Sequence, residues 1–392
     1  MKGLHTALFS ARRLLGALAL ACTGIGAALA ASQPVHIGSI LSVTGPAAFL
    51  GEDMRRGMEM AISDINERGG INGQPLRWTF YDAESQTAKA INATRRLLTQ
   101  DKVDIIVGGG NMSGIAIAMA PMTERAGVPF ISTEGSMQIV TPVKDRPNTF
   151  KSPVDDDQMV ERLFDFLDKK GIKKVALLAD NSGFGQSATE QMKLIAPRRG
   201  AEVVYETFSP GDTDLTPQLT NIRNSGAQAI VCWTVTPAGV VFIKQADQLG
   251  LSDRLLIHSY GFVDQRYMQL AGDSVKNLLL LSVKFPVADQ LPDSDPIKQR
   301  IAEMSQRFEQ RYKHKPNQYV AQTYDAISLA ALGMEKAGGD PAKFAAALEG
   351  VADYPGMGGV MTYSPERHSG LTKDDIVLLG YRDGAFYLAD YK

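Results

Sequence analysis

Residues 35–76 read VHIGSILSVTGPAAFLGEDMRRGMEMAISDINERGGINGQPL. Val35–Leu41 reads as a strand. Gly51–Arg68 reads as a helix with Met54, Met58, Ala61, Ile62 and Ile65 on one face, stopped by Gly69-Gly70. Leu76 opens a second strand to Tyr81, and Ala88–Gln100 a second helix. Val103–Val107 is a buried strand ending in Gly108-Gly109-Gly110, a helix starts near Ser113, and Val128–Ser132 is the next strand. This alternation implies parallel strands joined by right-handed crossovers.

Toward the N-terminus, Lys2, Arg12 and Arg13 form a basic start, Leu14–Ala21 a short apolar core, and Ala28-Leu29-Ala30 a small-residue cleavage site. Cleavage is expected after Ala30, and the apolar core is too short for a stable membrane anchor. Two other readings stay open. Cys22 could be lipidated, although Ala19-Leu20-Ala21 matches that pattern poorly. The Arg12-Arg13 pair could use a twin-arginine route, although its surroundings fit weakly. Each reading puts the mature chain outside the cytoplasm, in the periplasm.

Removing 30 of the 392 residues leaves 362, more than one core usually holds, so two domains are expected. Losing three cations takes the net charge from −2 to −5, so no nucleic-acid surface is implied. Cys232 is then the only cysteine, and its apolar run AIVCWT marks a buried, inert thiol. Without an internal disulfide the chain depends on its cores.

Toward the C-terminus the pattern restarts. Val175–Ala179 is a strand, Gly185–Arg198 a helix, Glu202–Thr207 a strand, and Leu215–Ser225 a helix opened by Thr213 or Asp214. Ala229–Thr234, Pro237–Leu249 and Leu255–Ser259 repeat strand, helix, strand. Long helices resume over Asp295–Lys313 and Gln318–Ala337, with a shorter one at Pro341–Leu348, and Gly359–Lys392 reads as short strands and turns. Such a chain leaves one lobe, builds another and returns, which suits hinge closure around a ligand.

The mature chain resembles, essentially end to end, the exported solute-binding proteins of ABC importers of the branched-chain amino acid type. The resembling stretches are IGSILSVTGPAAFLG, GMEMAISDINERGGINGQPL, YDAESQTAKA, VGGGNMSGIAIAMAP, AGVPFIS, NSGFGQSA, QADQLGL and YVAQTYDAISLA. The resemblance implies the type I periplasmic binding fold, an α/β protein of two doubly wound parallel-sheet lobes joined by a three-crossover hinge. The expected boundaries are a signal at 1–30, lobe 1 at 31–154 with 284–360, and lobe 2 at 155–283 with 361–392. It further implies a monomer that delivers a small carboxylate ligand to ABC permease membrane subunits, without cofactor, metal, nucleic-acid partner or catalysis. A ligand sensor for a membrane signalling protein would share this fold.

The resemblance also maps a site. Ser113 and the amide of Gly114 match the family's carboxylate grip, at a helix start that attracts anions. From the residues alone, Ser113 equally well caps its own helix. Ser136 matches a hydroxyl position, Glu134 a position acting through its carbonyl, and Asn111 belongs to the glycine-rich turn before Ser113. Tyr260 stands where amino-acid binders carry a glutamate for the ligand's ammonium. Phe184 and Val235 match tyrosine positions, and Leu50 an aromatic one. A buried ammonium without a counter-charge is costly. The expected ligand is therefore an aromatic or branched 2-oxo monocarboxylate. Branched-chain amino acids require Glu134 or Asp264 to swing in, and amides or urea rank lower.

Enzyme motifs are missing. Gly108, Gly109, Gly110 and Gly114 give neither G-x-G-x-x-G nor a lysine-bearing phosphate loop, and no G-x-S-x-G occurs. His36, His258, His314 and His368 are scattered without metal-ligand spacing.

Overall fold

β1 (His36–Leu41) is buried at all six positions, as a strand covered on both faces must be. The computed structural model describes residues 34–45 and 47–390. The export signal and Cys22 lie outside them. α1 (Ala48–Glu67) buries the expected Met54, Met58, Ala61, Ile62 and Ile65. Asn66 ties the end of α1 to the next strand, accepting from the Leu76 amide at 2.6 Å and donating to its carbonyl at 3.2 Å.

β2 (Arg77–Asp82), α2 (Thr87–Arg96), β3 (Ile105–Gly108), α3 (Ser113–Ala126), β4 (Phe130–Ser132) and β5 (Thr149–Lys151) complete a first sheet. Its order is β2-β1-β3-β4-β5, parallel throughout. Then follow α4 (Asp156–Lys169), β6 (Lys174–Asp180), α5 (Gly183–Ile195), β7 (Glu202–Phe208), α6 (Thr216–Ser225), β8 (Ala229–Trp233), α7 (Ala238–Gln248), β9 (Leu255–His258), α8 (Gln265–Ala271) and β10 (Leu278–Val283). After α9 (Lys298–Tyr312), α10 (Gln318–Lys336), α11 (Phe344–Glu349) and the short pair β11 (Tyr354–Pro355) and β12 (Val360–Met361), the chain ends in β13 (Ile376–Arg382) and β14 (Ala385–Asp390). The second sheet runs β14-β13-β10-β9-β8-β6-β7.

This second sheet is not wholly parallel. β13 pairs antiparallel with β10 and with β14. The β13–β14 loop is Asp383-Gly384, both with positive φ (54° and 79°), a tight turn that returns the strand directly. α4, β5, α8 and β10 are absent from the alternation read above. α4 buries Met159, Val160, Leu163, Phe164, Phe166 and Leu167 along one stripe.

The chain passes between the sheets at 152–155, 284–297 and about 370–375. The last passage comes some ten residues after the boundary expected at 360, because residues 363–369 lie against β5. The Lys151 amide donates to the His368 carbonyl at 3.0 Å, and the Tyr363 hydroxyl to the Lys151 carbonyl at 3.0 Å. On its return the chain lays α10 along α1. A Cβ on Gly57 would overlap Thr323 and come within 2.6 Å of the Val320 carbonyl, so glycine sets this close approach.

Three fully buried ionisable groups give a pH signature. Burial pushes the Asp156 and Asp325 carboxyls up to about 7, and the His258 imidazole down to about 3. Each carboxyl favours the folded state most below its unfolded value of 3.8, and that advantage is lost as pH rises to about 7. His258 acts oppositely, losing stability as pH falls from 6.5 toward 3. Asp156→Asn, neutral at every pH, is expected to stabilise the protein increasingly between pH 4 and pH 8. The ceiling is on the order of 4 kcal/mol, three pKa units of burial cost. Urea melts across that range check this; a gain that is flat or shrinks with pH contradicts it.

Candidate functional site

Both sheets aim the carboxyl ends of their strands at one crevice, where ligands lodge in α/β folds. It encloses about 330 Å³. After β1 come Leu50 and Met54, after β3 Asn111–Ile115, and after β4 Thr133–Gly135. The second sheet supplies Asp180 and Ser182–Phe184 after β6, Val235 and Thr236 after β8, and Tyr260 and Gly261 after β9. Tyr319 and Gln322 of α10 also line it.

Ser113 is the first residue of α3, and Met112 before it offers no side-chain cap. Ser113 therefore does not cap its own helix. Its hydroxyl accepts from the Ser136 amide at 3.2 Å, and the Gly114 amide has no acceptor within the helix. Opposite, α5 begins at Gly183, where a Cβ would come within 3.2 Å of the Gly114 nitrogen. Two helix starts thus meet across the crevice; that of α5 already holds the Asp180 carboxyl, and that of α3 favours an anion. Ser182 caps α5, accepting from the Phe184 amide at 3.2 Å.

Ser136, expected in the pocket, is fully buried and outside the lining. Its hydroxyl accepts from the Gln138 amide at 3.2 Å and caps a short turn. Ser136 acts on the site by holding Ser113.

The acids in the lining are committed elsewhere. Glu134 accepts from the Ser132 hydroxyl (2.6 Å), the Thr133 amide (3.0 Å) and hydroxyl (2.9 Å), and the Asn111 amide (3.2 Å). Burial raises its pKa. Asn111 is likewise occupied, accepting from the Ser42 amide at 3.2 Å and donating to the Ser42 carbonyl at 2.7 Å. Asp180 accepts from Ser182 through amide (3.1 Å) and hydroxyl (2.5 Å), and from Thr234 (2.6 Å). Burial raises its pKa too. Asp264, the other acid considered for an ammonium, lies outside the lining and pairs with Arg266 at 2.7 Å.

The walls are apolar and aromatic: Leu50, Met54, Ile115, Phe184, Val235 and Tyr260. Phe184 meets Tyr260 edge-on at 5.8 Å and Trp233 behind it at 5.8 Å. Asp180, Tyr319 and Gln322 were missed by sequence reasoning. Asp180 was findable, since it ends a strand just before a helix; Tyr319 and Gln322 arrive by the return passage, which sequence spacing does not register. Among the described residues no group of histidine, cysteine or acid side chains could hold a metal ion. Nor is any of their helices long and apolar enough to cross a membrane.

A family model described as periplasmic binding protein matches residues 34–379. The chain belongs to this family. It is similar to Leu/Ile/Val-binding protein homolog 3 of Brucella melitensis, with 25% identity over 356 residues, 90% of this chain and 93% of that one. Among solved structures it is similar to an extracellular ligand-binding receptor from Rhodopseudomonas palustris (TM-score 0.82, 22% identity, 91% of this chain and 99% of that one). It is also similar to the branched-chain amino acid transporter substrate-binding protein from Streptococcus pneumoniae, solved in complex with isoleucine (TM-score 0.76, 24% identity, 90% and 98%). As a periplasmic binding protein of ABC-type transport, the chain takes up a small solute and works with a permease.

Proposed function

We propose that this periplasmic binding protein captures a small monocarboxylate with an apolar or aromatic body and no ammonium group, an aromatic or branched 2-oxo acid. The carboxylate rests on the Ser113 hydroxyl and the Gly114 amide, and the two lobes close on the tail. The protein acts as a monomer and carries out no chemistry. One observation supports this reading above the others: neither acid in the lining has an uncommitted oxygen to answer an ammonium. An ammonium there would have to compete with those donors for a carboxyl oxygen.

The relative and the solved complex named for branched-chain amino acids carry the second reading, a binder of leucine, isoleucine or valine. A thermal-shift screen of refolded, ligand-stripped protein separates the two. At a hundredfold excess over Kd a ligand stabilises by about 2.7 kcal/mol. Aromatic or 2-oxo acids are expected to raise the melting temperature and leucine to leave it unchanged. A strong shift with leucine or valine and none with the acids overturns the proposal.

A further inference from the structure

The Tyr260 side chain is more than nine-tenths buried, at 6% exposure, and lines the crevice. Its hydroxyl has no hydrogen-bond partner among the described residues. The hydroxyl is thus a crevice-facing donor that no protein acceptor takes up, available to a ligand atom.

The surroundings say which atom. The hydroxyl lies against Gly135, where a Cβ would overlap it, and the Phe184 ring closes on the same glycine to within 2.7 Å of that Cβ. The next residue, Ser136, donates its amide to the Ser113 hydroxyl. The Tyr260 hydroxyl therefore lies against the residue next to Ser136, whose amide holds Ser113 of the carboxylate grip. Burial raises the Tyr260 pKa further, so the group donates at every physiological pH.

We propose that Tyr260 donates a hydrogen bond to the oxygen on the carbon next to the ligand carboxylate, which makes 2-oxo carboxylates with apolar tails the preferred class. This rests on the reading of the crevice as a carboxylate site. An ammonium in that place meets a neutral hydroxyl. An aryl or alkyl carboxylate without the oxo group presents a C–H and leaves the hydroxyl unpaired.

Calorimetry with matched pairs, α-ketoisocaproate against isocaproate and phenylpyruvate against hydrocinnamate, tests this in the wild type and in Tyr260→Phe. The variant keeps the ring and its packing, and its unliganded melting temperature reports folding. The wild type is expected to favour each oxo acid by about tenfold, the value of one buried hydrogen bond. Tyr260→Phe is expected to lose that preference, so that the two members of each pair bind alike. Equal binding within each pair by the wild type, or a variant that weakens both members alike, overturns the role of Tyr260 and leaves the carboxylate site standing. Tight leucine binding with no binding of any acid overturns the carboxylate reading itself.

Discussion

Gly135→Val is expected to fold normally and to bind ligand about 10- to 100-fold more weakly. Gly135 belongs to the loop after β4 in the first sheet, and the groups pressed against it belong to the second. A Cβ there would overlap the Tyr260 hydroxyl and stand 2.7 and 3.1 Å from two Phe184 ring atoms. The loop cannot yield easily. Buried Lys151 donates to the Gly135 carbonyl and to the Val154 carbonyl at 3.2 Å, and pairs with Asp155 at 2.9 Å. The clash thus falls on the approach of the two halves and on neither core. A branched side chain forced into such a contact costs about 1–3 kcal/mol, and the lost approach removes the aromatic wall from the ligand as well. Because a ligand shifts the open–closed balance only through its differential affinity, a destabilised closed form appears directly as weaker binding. Calorimetry and an unliganded melt check the two halves of this expectation. Binding within threefold of wild type refutes it.

How much of this was visible in the sequence differs between elements. α1 was readable because Met54, Met58, Ala61, Ile62 and Ile65 repeat at helical spacing and Gly69-Gly70 ends the run. β10, LLLLSV, carries no period at all, because it lies inside the sheet and is almost wholly buried; a run of four leucines does not reveal its type. The antiparallel end of the second sheet escaped an argument built on strand–helix alternation, since Asp383-Gly384 replaces a crossover with a two-residue turn.

The site was legible where it depends on local sequence. Leu50, Asn111, Ser113, Gly114, Glu134, Phe184, Val235 and Tyr260 all reach the crevice, since each follows a strand at its carboxyl end. Ser136 did not, because whether a loop hydroxyl turns outward or caps the next turn depends on backbone angles no motif encodes. The commitment of Glu134 to four donors was equally invisible, as those donors come from two separate loops.

Arg266→Glu is expected to hold the two halves apart, weakening ligand binding by about 10- to 100-fold and enlarging the ligand-saturated particle in solution scattering. Arg266 of α8 donates to the Phe49 carbonyl at 2.9 Å and to Asp53 at 3.0 Å, both on the first-sheet side. It binds Asp264 on its own side at 2.7 Å, and its guanidinium sits 5.2 Å from the Phe49 ring centre. Asn317 spans the same two acids at 2.9 Å each. Arg266 and Asn317 therefore bridge the two carboxylates, with Arg56 also facing Asp53 at 3.7 Å from the first-sheet side. The hydrogen bonds to Asp264 raise the Arg266 pKa, so the cation persists at any working pH. Lysine at 266 is expected to recover part of the binding, because a point charge cannot serve a carbonyl and two carboxylates together. Salt supplies the sharper measurement. Arg266 is 42% exposed in its side chain, so its attraction is screened, and wild-type affinity should fall modestly as ionic strength rises. In Arg266→Glu three carboxylates meet with only Arg56 as a neighbouring arginine among the described residues, and screening relieves their net repulsion, so affinity should rise with salt. A salt dependence of the same sign in both proteins would mean that Arg266 acts through packing on Phe49 and not through charge.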